Sequence, residues 1–345
     1  MSMVERLWYG EDIGARAARV ALAPASWLYG VAVGARASRF DHTTGAIETS
    51  ALPVLSLGNV TVGGTGKTPV AAWAAAQLQF RGGRPAILMR GYGDDESLVH
   101  ARLNPSVPVV VDADRLRGVT TAQQAGADCA ILDDGFQHRR IARVSDWVLV
   151  SAERWREDLR LLPAGPLREP ASALRRADIL LVTRKSAALS TADRLAQLFQ
   201  EQLRILRVAV CHLALDALVD VRTSHREGMS WLSGRRIVAA AAVGDSTAFF
   251  AQLEAYGARL EARPYRDHYA FTRDDVSQLA AAAARRDGLV CTLKDAVKLA
   301  PLWPANAAPL WYVSQIAVIE RGSAELDRAL VTVLAARQSV TSTAG

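Results

Sequence analysis

Apolar and polar positions follow one another in short blocks along most of the chain. An apolar run at 53–57 ends in a glycine-rich loop, and the alanine-rich stretch 67–80 carries a helical pattern. Strand-length apolar runs recur at 86–89, 109–111, 129–132, 147–150 and 179–182, with a helical stretch over 115–125. Continuous apolar runs mark strands covered on both faces, as in parallel sheets. The alternation predicts an α/β fold: a parallel sheet with helices on both faces. Residues 205–221 read as extended apolar segments bridging two lobes. A second series follows, with strands at 237–243 and 289–292 and helices at 247–256, 273–286 and 324–336; Gly257 stops the first of these helices. The expected division is an N-terminal segment 1–40, a core 41–204, a hinge 205–228, a smaller lobe 229–338 and a frayed polar tail 339–345.

The first forty residues have a different pattern. Sixteen uncharged residues lie between Arg19 and Arg36, among them Trp27, Leu28 and Tyr29, and Pro24 interrupts them. A spanning helix needs roughly 20. The stretch reads either as a helix in the membrane interface or as one docked on the protein's own core.

Composition narrows the class. Half of the 345 residues are hydrophobic, which supports a large core and two domains. Three cysteines, Cys129, Cys211 and Cys291, are too few and scattered for a disulfide framework or a zinc site. A reducing, cytosolic setting fits, and no secretory signal pattern opens the chain. The net charge is +6, but the arginines are interleaved with acids, so no nucleic-acid stripe emerges. No required protein partner is evident. Of the 41 Lys and Arg residues only Lys67, Lys185, Lys294 and Lys298 are lysines. An ammonium point charge and a guanidinium fork are not interchangeable, which draws attention to those four.

The loop after the first strand is Gly63-Gly64-Thr65-Gly66-Lys67-Thr68. Strand, glycine-rich loop, Gly-Lys-Thr and helix in that order form a phosphate-binding loop. Glycines let backbone N–H groups approach phosphate oxygens, and the helix N-terminus adds positive potential. Lys67 is expected at the β- and γ-phosphates and Thr68 at Mg²⁺. Thr61 stands where the usual pattern has its first glycine. The run Cys129-Ala130-Ile131-Leu132-Asp133-Asp134 places paired carboxylates at a strand end, suited to holding Mg²⁺.

A guanine-reading Asn/Thr-Lys-x-Asp element is missing in register: Thr292-Leu293-Lys294-Asp295 is displaced, and Thr183-Arg184-Lys185-Ser186 lacks the acid. A kinase needs a base near the γ-phosphate. The candidates are Asp94, Asp95 and Glu96 after a strand end, and His268, preceded by Asp267.

These elements together resemble the tetraacyldisaccharide 4′-kinase family, the lipid A 4′-kinases of Gram-negative bacteria. The resemblance rests on the run from Gly58-Asn59 to Thr68-Pro69, on Arg90-Gly91-Tyr92-Gly93, on Asp133-Asp134-Gly135-Phe136-Gln137-His138, on Gly165-Pro166-Leu167-Arg168-Glu169, on Asp267-His268 and on Lys294-Asp295-Ala296-Val297-Lys298. They span roughly residues 53 to 298 in the family's order, and Thr61 is itself a family habit. The resemblance implies a P-loop NTPase-like parallel sheet with helices on both faces, plus a second, smaller α/β lobe joined by a short hinge, and transfer of the γ-phosphate of ATP, with Mg²⁺, to the 4′-hydroxyl of a tetraacylated glucosamine disaccharide 1-phosphate. The product is lipid IVA, and the work is done at the cytoplasmic face of the inner membrane. It implies nucleotide and metal roles for Gly63, Gly64, Thr65, Gly66, Lys67, Thr68, Asp133, Asp134 and Glu169. Asp95 and His268 take the places of a catalytic aspartate and its paired histidine, expected from different lobes. Asn59, Arg115, Gln137, His138 and Arg168 are expected to handle the disaccharide and its phosphate.

Two departures remain. The family's long insertion after Gly-Tyr-Gly is absent, so Asp94 rivals Asp95; and Leu293 replaces the usual glutamate before Lys294, whose role, with that of Lys298, stays open. The rivals from other classes are a regulatory or metallochaperone-type P-loop NTPase and a membrane-docked binding protein with a vestigial loop.

Overall fold

The computed structural model describes residues 3–91, 95–205, 207–244 and 246–337. Asp94 and the tail 339–345 lie outside the described residues. In chain order the elements are α1 (Met3–Tyr9), α2 (Ile13–Ala21), α3 (Ala23–His42), β1 (Val54–Asn59), α4 (Lys67–Phe80), β2 (Pro85–Met89), α5 (Asp95–Leu103), β3 (Val109–Val111), α6 (Arg115–Gln124), β4 (Cys129–Asp133), β5 (Ser145–Ser151), β6 (Ile179–Arg184) and α7 (Leu189–Leu203). They continue as β7 (Val208–Asp220), β8 (Arg226–Gly228), β9 (Arg236–Ala241), α8 (Ser246–Ala255), β10 (Arg259–Pro264), α9 (Arg273–Ala283), β11 (Leu289–Thr292), α10 (Leu293–Leu299), β12 (Leu310–Arg321) and α11 (Ser323–Ala335).

The chain forms two compact units. One holds Leu103–Leu213 with the residues before 92 and after 316; the other holds 92–102 and Ala214–Ile316. In the first, the strands run β7-β6-β5-β1-β4-β2-β3. Every pairing in that series is parallel. Central strands β1, β4 and β5 are buried along their whole length, which is why their sequences are mostly apolar rather than alternating. The small Ala71, Ala74 and Ala75 of α4 are fully buried in a core with Leu55, Leu57, Ile131 and Trp147. Leu326, Leu330 and Val333 of α11 join the same cluster. Chain order departs from strand order at β1, whose neighbours are β4 and β5, and ligands bind at the carboxyl ends of strands around such a switch point.

The second unit has parallel strands in the order β10-β9-β11-β12. Edge strand β10 alternates charged and apolar residues and is largely exposed, so no apolar run announced it. Thr272 caps α9 with a reciprocal bond to Asp275, which sets its start.

At the N-terminus, Pro24 does not break a helix. It lies in the first turn of α3, where its missing N–H is not needed. Ser26 Oγ donates to the Leu161 carbonyl at 3.0 Å and Tyr29 OH to that of Arg168 at 2.9 Å. Ser26 and Tyr29, three residues apart, thus face the protein. Trp27, Leu28 and Val31 lie on the open side, at 69%, 63% and 53% exposure. Among the described residues no helix is long and apolar enough to cross a membrane.

Candidate active site

The phosphate loop runs from the end of β1 into α4. Thr61 bridges Leu167 in antiparallel fashion. Val62 N donates to Pro166 O at 2.8 Å and Arg168 N to Val60 O at 2.7 Å. Thr61 therefore sits in an isolated β-bridge, a position that suits a β-branched residue. The left-handed turns fall later, at Gly63 (φ 108°) and Gly66 (φ 83°), where glycine is required. That is why the first glycine of the usual loop is dispensable here.

Asn59 organises this loop. It is fully buried at the last position of β1. Its Nδ2 donates to Thr65 Oγ1 at 2.9 Å, and its Oδ1 accepts from Lys67 Nζ at 3.1 Å. Gln137 Nε2 donates to its carbonyl at 2.9 Å, and the Arg168 guanidinium bonds both its carbonyl and its side-chain oxygen. Thr65 is held from the other side by Thr183 Oγ1, which donates to its carbonyl at 2.9 Å.

Lys67 opens α4, with Thr68 beside it, so both stand at the positive end of a helix. The Lys67 ammonium lies 3.3 Å from Asp134 Oδ1. Arg168 grips the same carboxylate with both nitrogens, at 2.8 and 2.9 Å. Burial works to raise the Asp134 carboxyl, but the bonds and charges of Arg168 and Lys67 prevail and hold it well below the ordinary carboxylate range. Asp134 has left-handed φ (57°), turning the chain out of β4, while Asp133 closes the strand in register with Leu57. Thr68 and Asp133 thus sit at the ends of adjoining elements. A hydroxyl and a strand-end carboxylate suit Mg²⁺, which takes few protein oxygens and completes its shell with phosphates and water. Among the described residues no cluster of three or more His, Cys, Asp or Glu side chains offers a site for a fully protein-held ion.

The next residues are structural neighbours of this centre. Phe136 is fully buried, with the Arg176 guanidinium 4.4 Å above its ring. Arg176 also pairs with buried Glu169 at 2.8 Å. Arg115 is buried and donates to Asp112 O at 2.6 Å; burial, then the charge of Arg90, lowers its guanidinium against the pull of Asp134 and Asp133. His138 is pushed down to about 4, first by burial and then by Arg115, Arg143, Arg36 and Arg140, so its ring is neutral at physiological pH.

The other chemistry lies in the second unit. Asp95 is the first residue of α5 and is buried. His268 Nδ1 stands 3.3 Å from Asp95 Oδ2, with the backbone of His268 left-handed at φ 57°. The two were expected from different lobes, but they belong to one compact unit. The reason is that α5 is fastened there: Arg102 Nη2 donates to Val221 O at 2.8 Å, and Lys294 lies 3.4 Å from Glu96. Lys298, whose role the sequence left open, reaches the same Asp95 oxygen at 3.9 Å. The spacing of Lys294 and Lys298, one helical turn apart, was the available signal. Asp295 reads no base: it is wholly buried and accepts from Thr292 Oγ1 at 2.7 Å and Ala242 N at 3.1 Å.

The tetraacyldisaccharide-1-P 4′-kinase family model matches residues 18–335. The chain belongs to that family. It is an enzyme, a kinase, and the regulatory or metallochaperone-type reading is set aside. A tetraacyldisaccharide 4′-kinase of Anaeromyxobacter sp. (strain Fw109-5) is 36% identical over the whole of both chains. That of Methylobacillus flagellatus is 32% identical, covering 97% of this chain and 95% of its own. The kinase also superposes on the crystal structure of the apo form of LpxK from Aquifex aeolicus in complex with ATP, with TM-score 0.71 and 26% identity, over 91% of this chain and 99% of that one.

Proposed function

We propose that this kinase transfers the γ-phosphate of ATP to the 4′-hydroxyl of a tetraacylated glucosamine disaccharide 1-phosphate, giving lipid IVA. Family membership supports the reaction, and the Asp95–His268 pair, 3.3 Å apart, carries the assignment of the base. Asp95 accepts the proton of the acceptor hydroxyl, and His268 orients its carboxylate. The hydroxyl oxygen then bonds to phosphorus as the bond to ADP breaks. Lys67 and the N–H groups of Gly63–Thr68 hold the phosphates, and most of the rate comes from such positioning and charge neutralisation. Thr68 with Asp133 or Asp134 would hold Mg²⁺, which neutralises phosphate charge when bound. Glu169 orders the nucleotide side through Arg176. Asn59, Arg115, Gln137, His138 and Arg168 line the acceptor side, with neutral His138 able to give or accept a hydrogen bond.

The acceptor carries four acyl chains and stays in a bilayer, so the enzyme works at the cytoplasmic face of the inner membrane. Support comes from the open side of α2 and α3, where Ile13 and Val20 are exposed along with Trp27, Leu28 and Val31. Incubation with ATP and the lipid disaccharide 1-phosphate in detergent, followed by mass spectrometry, tests the reaction. A gain of one phosphate on the lipid is expected; ATP hydrolysis without that gain would sink the proposal.

A further inference from the structure

The Lys294-Asp295-Ala296-Val297-Lys298 run has no role in the scheme above, yet it packs against the proposed base. Lys298 Nζ is held on several sides. It donates to the Tyr269 carbonyl at 3.0 Å, lies 3.7 Å from Asp295 Oδ1 and sits 5.5 Å over the ring of Phe271. Its side chain is only 17% exposed. Asp295 in turn is fixed by Ala242 N and by Thr292 Oγ1 at the start of α10. From this anchored position Lys298 faces Asp95 Oδ2 at 3.9 Å, the oxygen that His268 Nδ1 faces at 3.3 Å. One turn earlier, Lys294 meets Glu96 at 3.4 Å. The groups that face the Asp95 carboxylate are thus Lys298 from α10 and His268 from the loop before α9, with Asp295 beside the lysine and Asp267 beside the histidine. Glu96, its chain neighbour, points to Lys294.

We infer that Lys298 is a positioning residue for the phosphoryl-transfer base: anchored by Asp295 and the Tyr269 carbonyl, it fixes the rotation of the Asp95 carboxylate by engaging the oxygen that His268 also engages. The inference rests on the assignment of Asp95 as base. An ammonium and an imidazole on one carboxylate oxygen restrain the side chain about its terminal torsion, which is otherwise broad. An error of about 1 Å in the placement of a reacting group costs on the order of 10²-fold in rate. Tyr269 and His268 are one residue apart, so the lysine also ties down the loop that carries the histidine.

The test compares Asp95→Asn, Lys298→Met, Lys298→Arg and the Asp95→Asn/Lys298→Met double variant in the full-length enzyme, with ATP and the lipid acceptor. Lys298→Met is expected to lower kcat about 10- to 100-fold with the KM for ATP unchanged. Lys298→Arg is expected to recover part of the loss. The double variant should be no slower than Asp95→Asn alone, because a residue acting through Asp95 has nothing left to position. Multiplying losses, or wild-type turnover in Lys298→Met, would overturn the inference. If Asp95→Asn keeps its turnover, the assignment of the base fails instead. Since Lys298→Met leaves the buried Asp295 carboxylate without its cation, Lys298→Met/Asp295→Asn is measured alongside, with thermal unfolding of each. A folded variant of that pair with wild-type kcat would equally overturn the inference.

Discussion

The ammonium of Lys67 lies 3.3 Å from the carboxylate of Asp134. Asn59 Oδ1 holds it from another side at 3.1 Å. A compact cation fits between these two acceptors, whereas a planar fork demands a different arrangement. Lys67→Ala is expected to lower kcat about 10²- to 10³-fold, as loss of one preorganised charge in a phosphoryl-transfer site does. Lys67→Arg should recover little of it. Single-turnover measurements on both variants check this, and near-complete rescue by arginine would contradict the geometry.

Asp95 and His268 should fail together. Alanine at either position is expected to lower kcat about 10²-fold or more, with modest change in the KM for ATP. Asp94→Ala is the control for register. Should Asp94→Ala abolish turnover while Asp95→Ala does not, the base has been placed one residue too late.

His138 makes stability depend on pH. Its imidazole titrates at about 4 in the folded protein and near 6.5 when unfolded. Between these values the unfolded chain holds the extra proton, so stability is full above pH 6.5 and falls as pH drops toward 4. The slope it contributes stays below the limit of about 1.4 kcal/mol per pH unit, because solvent screens a half-buried ring. Denaturant titrations across this window should show a flatter profile for His138→Gln than for the wild type.

Phe136 locks the loop after β4 beneath β1. A Cβ at Gly58 would lie 2.4 Å from Phe136 Cβ and 2.7 Å from its backbone nitrogen. Gly58→Ala therefore forces backbone apart and is expected to lower the unfolding midpoint. Phe136→Ala empties a fully buried site and should cost about 3–5 kcal/mol. Chemical denaturation measures both; a neutral Gly58→Ala would show that the close approach is not needed.

Trp27 and Leu28 offer a clean surface test. Both are mostly exposed, so serine at the two positions should leave thermal unfolding unchanged. Co-sedimentation with phospholipid vesicles should fall. Unchanged sedimentation would remove α3 from the proposed membrane contact.

Much of the fold was legible because its signals are short-range. The strands β1, β4, β5 and β6 each carry a short, mostly apolar run, and α4 is a helix of good formers following a glycine. β10 was not legible, since an exposed edge strand needs no apolar run. Nor was the reach of α3, because proline at a helix start and proline within a helix look alike in a sequence read for apolar length alone.

The amino-acid sequence by itself determined the order of strands and helices, the phosphate loop and the residue types at the candidate site, all set by neighbours within a few positions. Its family resemblance also carried Asp95 and His268 as a pair. Only the tertiary structure decided why Thr61 suffices in the loop, because the bridge that holds it comes from Leu167. Only it decided which unit holds α5 and which cations face its acids. Lys294 and Glu96 are 198 residues apart in sequence. No periodicity links positions so distant; their contact follows from packing α5 and α10 into one unit, where the carboxylates of Asp95 and Glu96 each find a lysine. The same packing places the histidine and the lysine on one oxygen of Asp95.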